Sequence, residues 1–224
     1  MRRSEINHII SQAKLFFDSR QFHLPPWAFW SPQDWSGKGE ICREIIDNML
    51  GWDITDFGKN DYYSCGLLLF TLRNGNLVRD NKVYGEKIMI AEEGQITPMH
   101  FHWSKLEDII NRGGGKLVMK LYSSTKDDSL SENPLRAKVD GIERSFQPGE
   151  ELVLQPGESV CLEPGLYHEF WAQPGSGKVM VGEVSAVNDD NTDNRFYEKV
   201  GRFPDIQEDE PPLHLLVSDY LNYV

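Results

Sequence analysis

The segment TPMHFHWSKLED, residues 97–108, places two of the chain's six histidines one residue apart, with a glutamate five positions beyond the second. On a β-strand, residues two apart project from the same face. His100 and His102 therefore point one way and Phe101 the other, so two imidazoles can converge on one cation. A tight bend after Trp103 would bring the Glu107 carboxylate to the same point, and His168, in EPGLYHEF, offers a third imidazole. Three imidazoles and a carboxylate suit Mn²⁺, Fe²⁺, Co²⁺, Ni²⁺ or Zn²⁺. In octahedral coordination four protein ligands leave two adjacent positions open, enough to chelate a molecule through two neighbouring oxygens. A structural zinc site would close all its positions, usually with cysteines. Cys42, Cys65 and Cys161 are too scattered for that. Paired histidines also arise by chance and are commonly solvated, so spacing alone leaves both readings open.

The elements that must position these residues are short β-strands. From about residue 62, β-prone runs follow closely: GLLLFTL, EKIMIAEE, QITPMHFH, KLVMKLYS, ELVLQ, SVCLEPG, HEFWAQ and KVMVGEVS. Gly, Pro, Asn and Asp fill the gaps, and no helical pattern intervenes, which indicates a mainly β fold, a sandwich or a barrel. NRGGGKL, residues 111–117, lacks the GxxxxGK[ST] spacing of a phosphate loop and reads as a tight turn between strands.

Before the strands, residues 1–61 form a helical extension. Ser4 is placed to cap a helix whose Ile6, Ile9, Ile10, Ala13, Phe16 and Phe17 share a face. FHLPPWAFWSP, residues 22–32, cannot be helix because of its prolines, and its aromatics suit packing. A second helix uses Ile41, Ile45, Ile46, Met49 and Leu50, ending at Gly51. Residues 62–186 hold the strands of this sandwich or barrel, and the polar, turn-rich 187–224 complete the same domain as a C-terminal loop and tail.

Lys and Arg number 23 against 35 Asp and Glu, a net charge of −12. Nucleic-acid binding wants a basic face, so this balance speaks against it. No apolar run is long enough for a membrane span, and the N-terminus lacks the apolar region of a signal peptide. Unpaired cysteines fit a cytoplasmic location.

The run from Gly94 through His100, His102 and Glu107 to Gly114 resembles the first motif of the cupin superfamily: Gly, five residues, HxH, four residues, Glu, six residues, Gly. Gly157, Pro164, Gly165 and His168 resemble the second. That motif departs by placing Pro directly before Gly and by having Ala172 where Asn is expected. More narrowly, MRRSEINHIISQAKLFF, FHLPPWAFWSPQDW and GEVSAVNDDNTDNRF…GRFPDIQEDE resemble the cupin-type D-lyxose isomerases over almost the whole chain. This resemblance implies a cupin jelly-roll barrel, interconversion of D-lyxose and D-xylulose with D-mannose as a further substrate, Mn²⁺ as the preferred ion, and a homodimer. It also implies that His100, His102, Glu107 and His168 are the metal ligands.

Such a reaction moves a proton between C2 and C1 of an open-chain sugar. It needs a cation beside O1 and O2, a base over C2, and donors for the hydroxyls. Glu183 shares a strand face with Val179 and Val181, an unusual place for a solvated carboxylate, and the resemblance points to it as the base. Lys105, two residues before Glu107, could bond a sugar oxygen or assist proton transfer. Lys87 shares a face with Met89 and Ala91, where an inward ammonium needs a substrate or a carboxylate. Asp193 and Arg202 could bind hydroxyls or close the mouth. Each of these residues also has a solvated or turn-capping alternative. His8, His23 and His214 are tied to the motif by no spacing. An iron-dependent dioxygenase and a non-enzymatic sugar-binding cupin are the competing functions. The added lysines and Glu183 favour a polyol over the former, and the complete ligand set speaks against the latter.

Overall fold

The computed structural model describes residues 1–79, 81–190 and 192–224. Helix α1 spans Arg3–Ser19, α2 Pro32–Trp35 and α3 Arg43–Asp47; the strands are β1 Gly51–Thr55, β2 Leu67–Arg73, β3 Tyr84–Ala91, β4 Thr97–His102, β5 Glu107–Gly114 and β6 Leu117–Ser123. They continue as β7 Leu135–Val139, β8 Ile142–Phe146, β9 Glu151–Leu154, β10 Ser159–Leu162, β11 Leu166–Ala172, β12 Val179–Ala186 and β13 Asn194–Phe196, and α4 is Tyr220–Tyr223. Two antiparallel sheets face each other. One has the order β1-β2-β3-β12-β5-β10-β7-β8, the other β13-β4-β11-β6-β9. This is the cupin jelly-roll barrel.

The barrel interior is filled by the inward residues of both sheets, among them Leu69, Met89, Ile109, Met119, Val160, Phe170 and Val181. The outward residues Trp52, Ile54, Leu68, Phe70, Ile88 and Ile90 form a second core with Ile6, Ile10, Ala13 and Phe17 of α1. The middle of β2 and β3 is thus apolar on both faces because the helix covers the outer one, whereas β1 sets Asp53 and Thr55 on its inner face. The tryptophan-rich loop packs there too: Trp27 lies 4.8 Å from Phe70, and Trp35 lies 5.0 Å from both Trp30 and Tyr220.

Four local readings change. Ser4 does not cap α1; its N–H and hydroxyl both donate to the Asp209 carboxylate, at 2.9 and 2.7 Å, so the cap comes from a residue 205 positions away. Pro26–Phe29 forms one 3₁₀ turn, for which a proline at the first position is no obstacle. The second helix shrinks to Arg43–Asp47 with no buried residue, and Gly51, at φ +119°, opens β1 instead of closing a helix. Within 111–117, β5 runs on to Gly114, so only Gly115 and Lys116 separate it from β6.

The two ends of the chain are clasped together. Arg3 is 1% exposed and donates twice to Asp219, at 3.0 and 2.9 Å, and twice to Glu208, at 2.8 and 2.6 Å. Asn7 bonds Glu210, Pro211 and Leu213. Among the described residues, no helix is long and apolar enough to cross a membrane.

Candidate metal centre and adjoining charges

Strands β4 and β11 are neighbours, with His168 directly across from His100 in register. His102, two residues on, shares their face, and the ligand nitrogens of all three histidines lie within 4.8 Å of one another. Glu107 opens β5 in the opposite sheet and reaches across: its Oε1 lies 3.2 Å from Nε2 of His102 and 3.2 Å from Nε2 of His168. All four side chains are buried.

The hydrogen bonds behind the rings set their tautomers. His100 Nδ1 sits 2.7 Å from the Pro98 carbonyl and His168 Nδ1 3.1 Å from that of Leu166. A carbonyl only accepts, so each Nδ1 carries the proton and each Nε2 keeps its lone pair. Glu107 Oε1 is buried and finds no hydrogen-bond partner among the described residues. An acceptor oxygen thus faces an imidazole lone pair with nothing to join them. A divalent cation would join them, and the donor set suits a first-row metal.

Protonation states agree. Burial pushes His168 down to about 4, and burial, then the neighbouring His168, holds His100 well below its ordinary value. Burial alone would raise Glu107, but Lys105 and then His102 outweigh it and hold the carboxyl well below the usual range. Metal needs neutral imidazoles and an ionised carboxylate, and His100, His168 and Glu107 meet that need.

A stability prediction follows for metal-free protein. The unfolded chain protonates His168 near pH 6.5, whereas the folded chain resists until about pH 4. A histidine depressed by folding contributes its full stability above pH 6.5 and loses it as pH falls toward 4. The expected loss from His168 is on the order of 3 kcal/mol. Urea unfolding of EDTA-treated protein between pH 7.5 and 4 measures it; a flat profile would show His168 to be wet rather than buried.

Beyond the histidines runs a chain of alternating charge. Lys105 Nζ contacts Glu107 Oε2 at 2.8 Å, Glu183 Oε1 at 3.0 Å and Asn188 Oδ1 at 3.0 Å. Three acceptors for three protons leave this ammonium no donor for a substrate. Glu183 Oε1 also lies 3.7 Å from Lys87, its cross-strand neighbour on β3, and Lys87 lies 3.0 Å from Asp190 Oδ1. Asp190 meets Arg202 at 3.5 Å, and Arg202 meets Asp53 at 2.8 Å. Burial would raise the Asp190 carboxyl, but Lys87, then Arg202 and Lys105, hold it below its usual range. Buried charges of this kind cluster at functional sites, which makes this chain of charges a candidate for one.

Lys87, Asp190 and Arg202 also line a larger cavity of about 380 Å³ that adjoins the narrow one holding the histidines. Arg202 Nε is buried without a partner among the described residues, so this side chain keeps a donor to offer.

The structure therefore brings His100, His102, Glu107, His168, Lys105, Glu183, Lys87 and Arg202 to one cavity. Asp193 stands apart. Its carboxylate accepts from Ser104 and from the backbone N–H of Lys105, and it lines neither cavity. Asp190, Asp53 and Asn188 were not singled out by sequence. Asp190 and Asn188 sit in a polar run that looks like any solvated loop. Asp53 carried a faint signal, since Asp53 and Thr55 alternate with Trp52 and Ile54.

Known proteins place this geometry. A family model described as D-lyxose isomerase matches residues 1–220. The D-lyxose/D-mannose isomerase of Serratia proteamaculans is 47% identical over 227 residues, covering 100% of both chains. That of Escherichia coli O157:H7 is 46% identical over 226 residues, again covering 100% of both. The solved structure of Cellulomonas parahominis L-ribose isomerase with L-ribose superposes with a TM-score of 0.62 at 17% identity, covering 92% of this chain and 98% of that one. Acinetobacter sp. DL28 L-ribose isomerase in complex with L-ribose gives 0.62 at 15% identity, with the same coverage. At such low identity these two speak for the barrel alone. The whole-length sequence match carries more: this chain is a sugar isomerase and belongs to the D-lyxose isomerase family.

Proposed function

We propose that the protein interconverts D-lyxose and D-xylulose, and D-mannose and D-fructose, by proton transfer through an enediolate, with Mn²⁺ held by His100, His102, Glu107 and His168. The observation that carries this reading is the Glu183 carboxylate, one lysine removed from the histidine cluster and facing the same cavity. The names of the full-length relatives support the two aldoses.

In this reading Glu183 takes the C2 proton of the open-chain aldose and returns it to C1, while a proton passes from O2 to O1; the ketose results and no atom is lost. When bound, the ion supplies positive charge beside the two oxygens of the reacting carbons. Lys87 and Arg202 hold hydroxyls. The loosest links of the charge chain, Lys87–Glu183 at 3.7 Å and Asp190–Arg202 at 3.5 Å, are where hydroxyls can insert. Lys105 acts differently from a sugar-binding lysine. It ties the base to a metal-ligating carboxylate and keeps both charges partnered. The family resemblance adds a cytoplasmic homodimer to the proposal, which size-exclusion chromatography checks.

The test is isomerisation of D-lyxose and D-mannose by protein treated with EDTA and then given Mn²⁺, Co²⁺, Ni²⁺, Fe²⁺ or Zn²⁺ separately. Ketose should appear only on metal addition, with Mn²⁺ most effective. Full activity after exhaustive chelation, or no ketose under any metal, would remove this reading.

A further inference from the structure

The stretch Trp103–Leu106 does an awkward task. It leaves the five-stranded sheet at His102 and enters the eight-stranded sheet at Glu107, so its shape, together with the strand pairings on either side, fixes how two metal-ligating side chains on opposite walls approach each other. It contains no proline or regular structure to stiffen it. Instead, one distant residue grips three consecutive positions. Asp193 Oδ1 accepts from the Ser104 N–H at 2.8 Å and from the Ser104 hydroxyl at 2.7 Å, and its Oδ2 accepts from the Lys105 N–H at 3.0 Å. The Asp193 carbonyl accepts from the Trp103 N–H at 3.1 Å. Asp193 is buried, and its carboxylate has no contact with either cavity.

The same residue leads into β13, which pairs with β4 so that Asn194 lies opposite His102 and Phe196 opposite His100. Phe196 stacks on the His100 ring, with centroids 5.2 Å apart and planes 26° from parallel. One short segment therefore holds the histidine strand from its edge and the turn from beneath.

We propose that Asp193 is a positioning residue for the metal centre, fixing the separation of His102 and Glu107 by clamping the turn between them. The proposal rests on the reading that these side chains hold the metal, and on nothing about the sugar. A residue that only stabilises the fold would change the unfolding midpoint but not the metal affinity of the folded protein. A residue that binds sugar would change KM. A clamp on the ligands changes the affinity for metal, because both ligands stay present but lose their preset spacing.

Asp193→Asn is the informative variant. The amide keeps the shape but turns an N–H toward the N–H of Lys105, where only an acceptor serves. Mn²⁺ binding, read from the free-ion electron paramagnetic resonance signal, should weaken by about 10- to 100-fold. At saturating Mn²⁺, KM for D-lyxose should stay within about threefold of wild type. A Mn²⁺ affinity within twofold of wild type overturns the proposal, whatever the kinetics show. Ser104→Ala removes one bond from an exposed side chain and should weaken Mn²⁺ about threefold; if Asp193→Asn does not fold, unchanged Mn²⁺ affinity in Ser104→Ala overturns the proposal. Should the wild-type protein isomerise neither sugar, the functional reading fails, and the Mn²⁺ measurements still decide the role of Asp193.

Discussion

Glu183→Gln should lower kcat by about 10²- to 10⁴-fold, the range for removing a general base, with KM and bound metal near wild type. The amide fills the same space but cannot take a proton from carbon. Its neighbours keep partners without it: Lys105 retains Glu107 at 2.8 Å, and Lys87 retains Asp190 at 3.0 Å. Structure and metal should therefore survive the change. Steady-state kinetics on D-lyxose with metal content measured in parallel separates two roles. A fall in kcat with full metal identifies the base. A fall accompanied by metal loss would make Glu183 a counter-charge for Lys105, and kcat within tenfold of wild type would exclude it as the base.

Arg3→Ala should destabilise the protein by about 3–5 kcal/mol, because it strands the buried Asp219 carboxylate without its cation. For a chain of this size that corresponds to a fall of roughly 10 °C in Tm. The exposed Glu208 adds little, since water takes over its charge. Arg3→Leu combined with Asp219→Asn removes both charges while the residue 219 oxygen still accepts from the Leu216 N–H, which it meets at 2.9 Å in the native protein. The double variant should recover more than half of the loss. A shift below about 1 kcal/mol in Arg3→Ala would show that this buried pair merely offsets its own desolvation.

Every β-prone run read from the sequence falls on a strand, and these include β3, β4, β11 and β12, which carry five of the eight residues gathered at the cavity. Strand β5 escaped because its inward positions are Glu107, Ile109 and Asn111, a ligand, an aliphatic and a buried amide, which erase the apolar alternation. Strands β7 and β8 carry a sequence signal of their own. Leu135, Ala137 and Val139 alternate with charged residues, and Asp140-Gly141, both at positive φ, is a two-residue hairpin turn. Strand β1 was hidden by the isoleucines before it, which suggest a longer helix than forms.

The metal ligands were legible because strand periodicity and motif spacing are local properties. The charge chain was not, since each link joins residues far apart in sequence, such as Lys87 with Asp190 and Arg202 with Asp53. Lys105 shows the limit most clearly. Its type and position suggested a hand for the sugar, but acceptors from β5, β12 and the following loop occupy all its protons.

The clasp between the ends of the chain also sets an order of events at the ribosome. Helix α1 is made early, yet the groups that bond Arg3, Ser4 and Asn7 lie between residues 208 and 219. At roughly 5–20 residues per second, that interval is on the order of 10–40 s. A lone 17-residue helix is marginal in water; its apolar face, Ile6, Ile10 and Phe17, can seat once β1 to β3 have formed, but its polar clasp waits for residues 208–219. During those seconds the nascent chain carries a helix seated by its apolar face alone, with Arg3, Ser4 and Asn7 still without their partners. A helix made before every strand of the barrel is thus among the last elements to be locked in place.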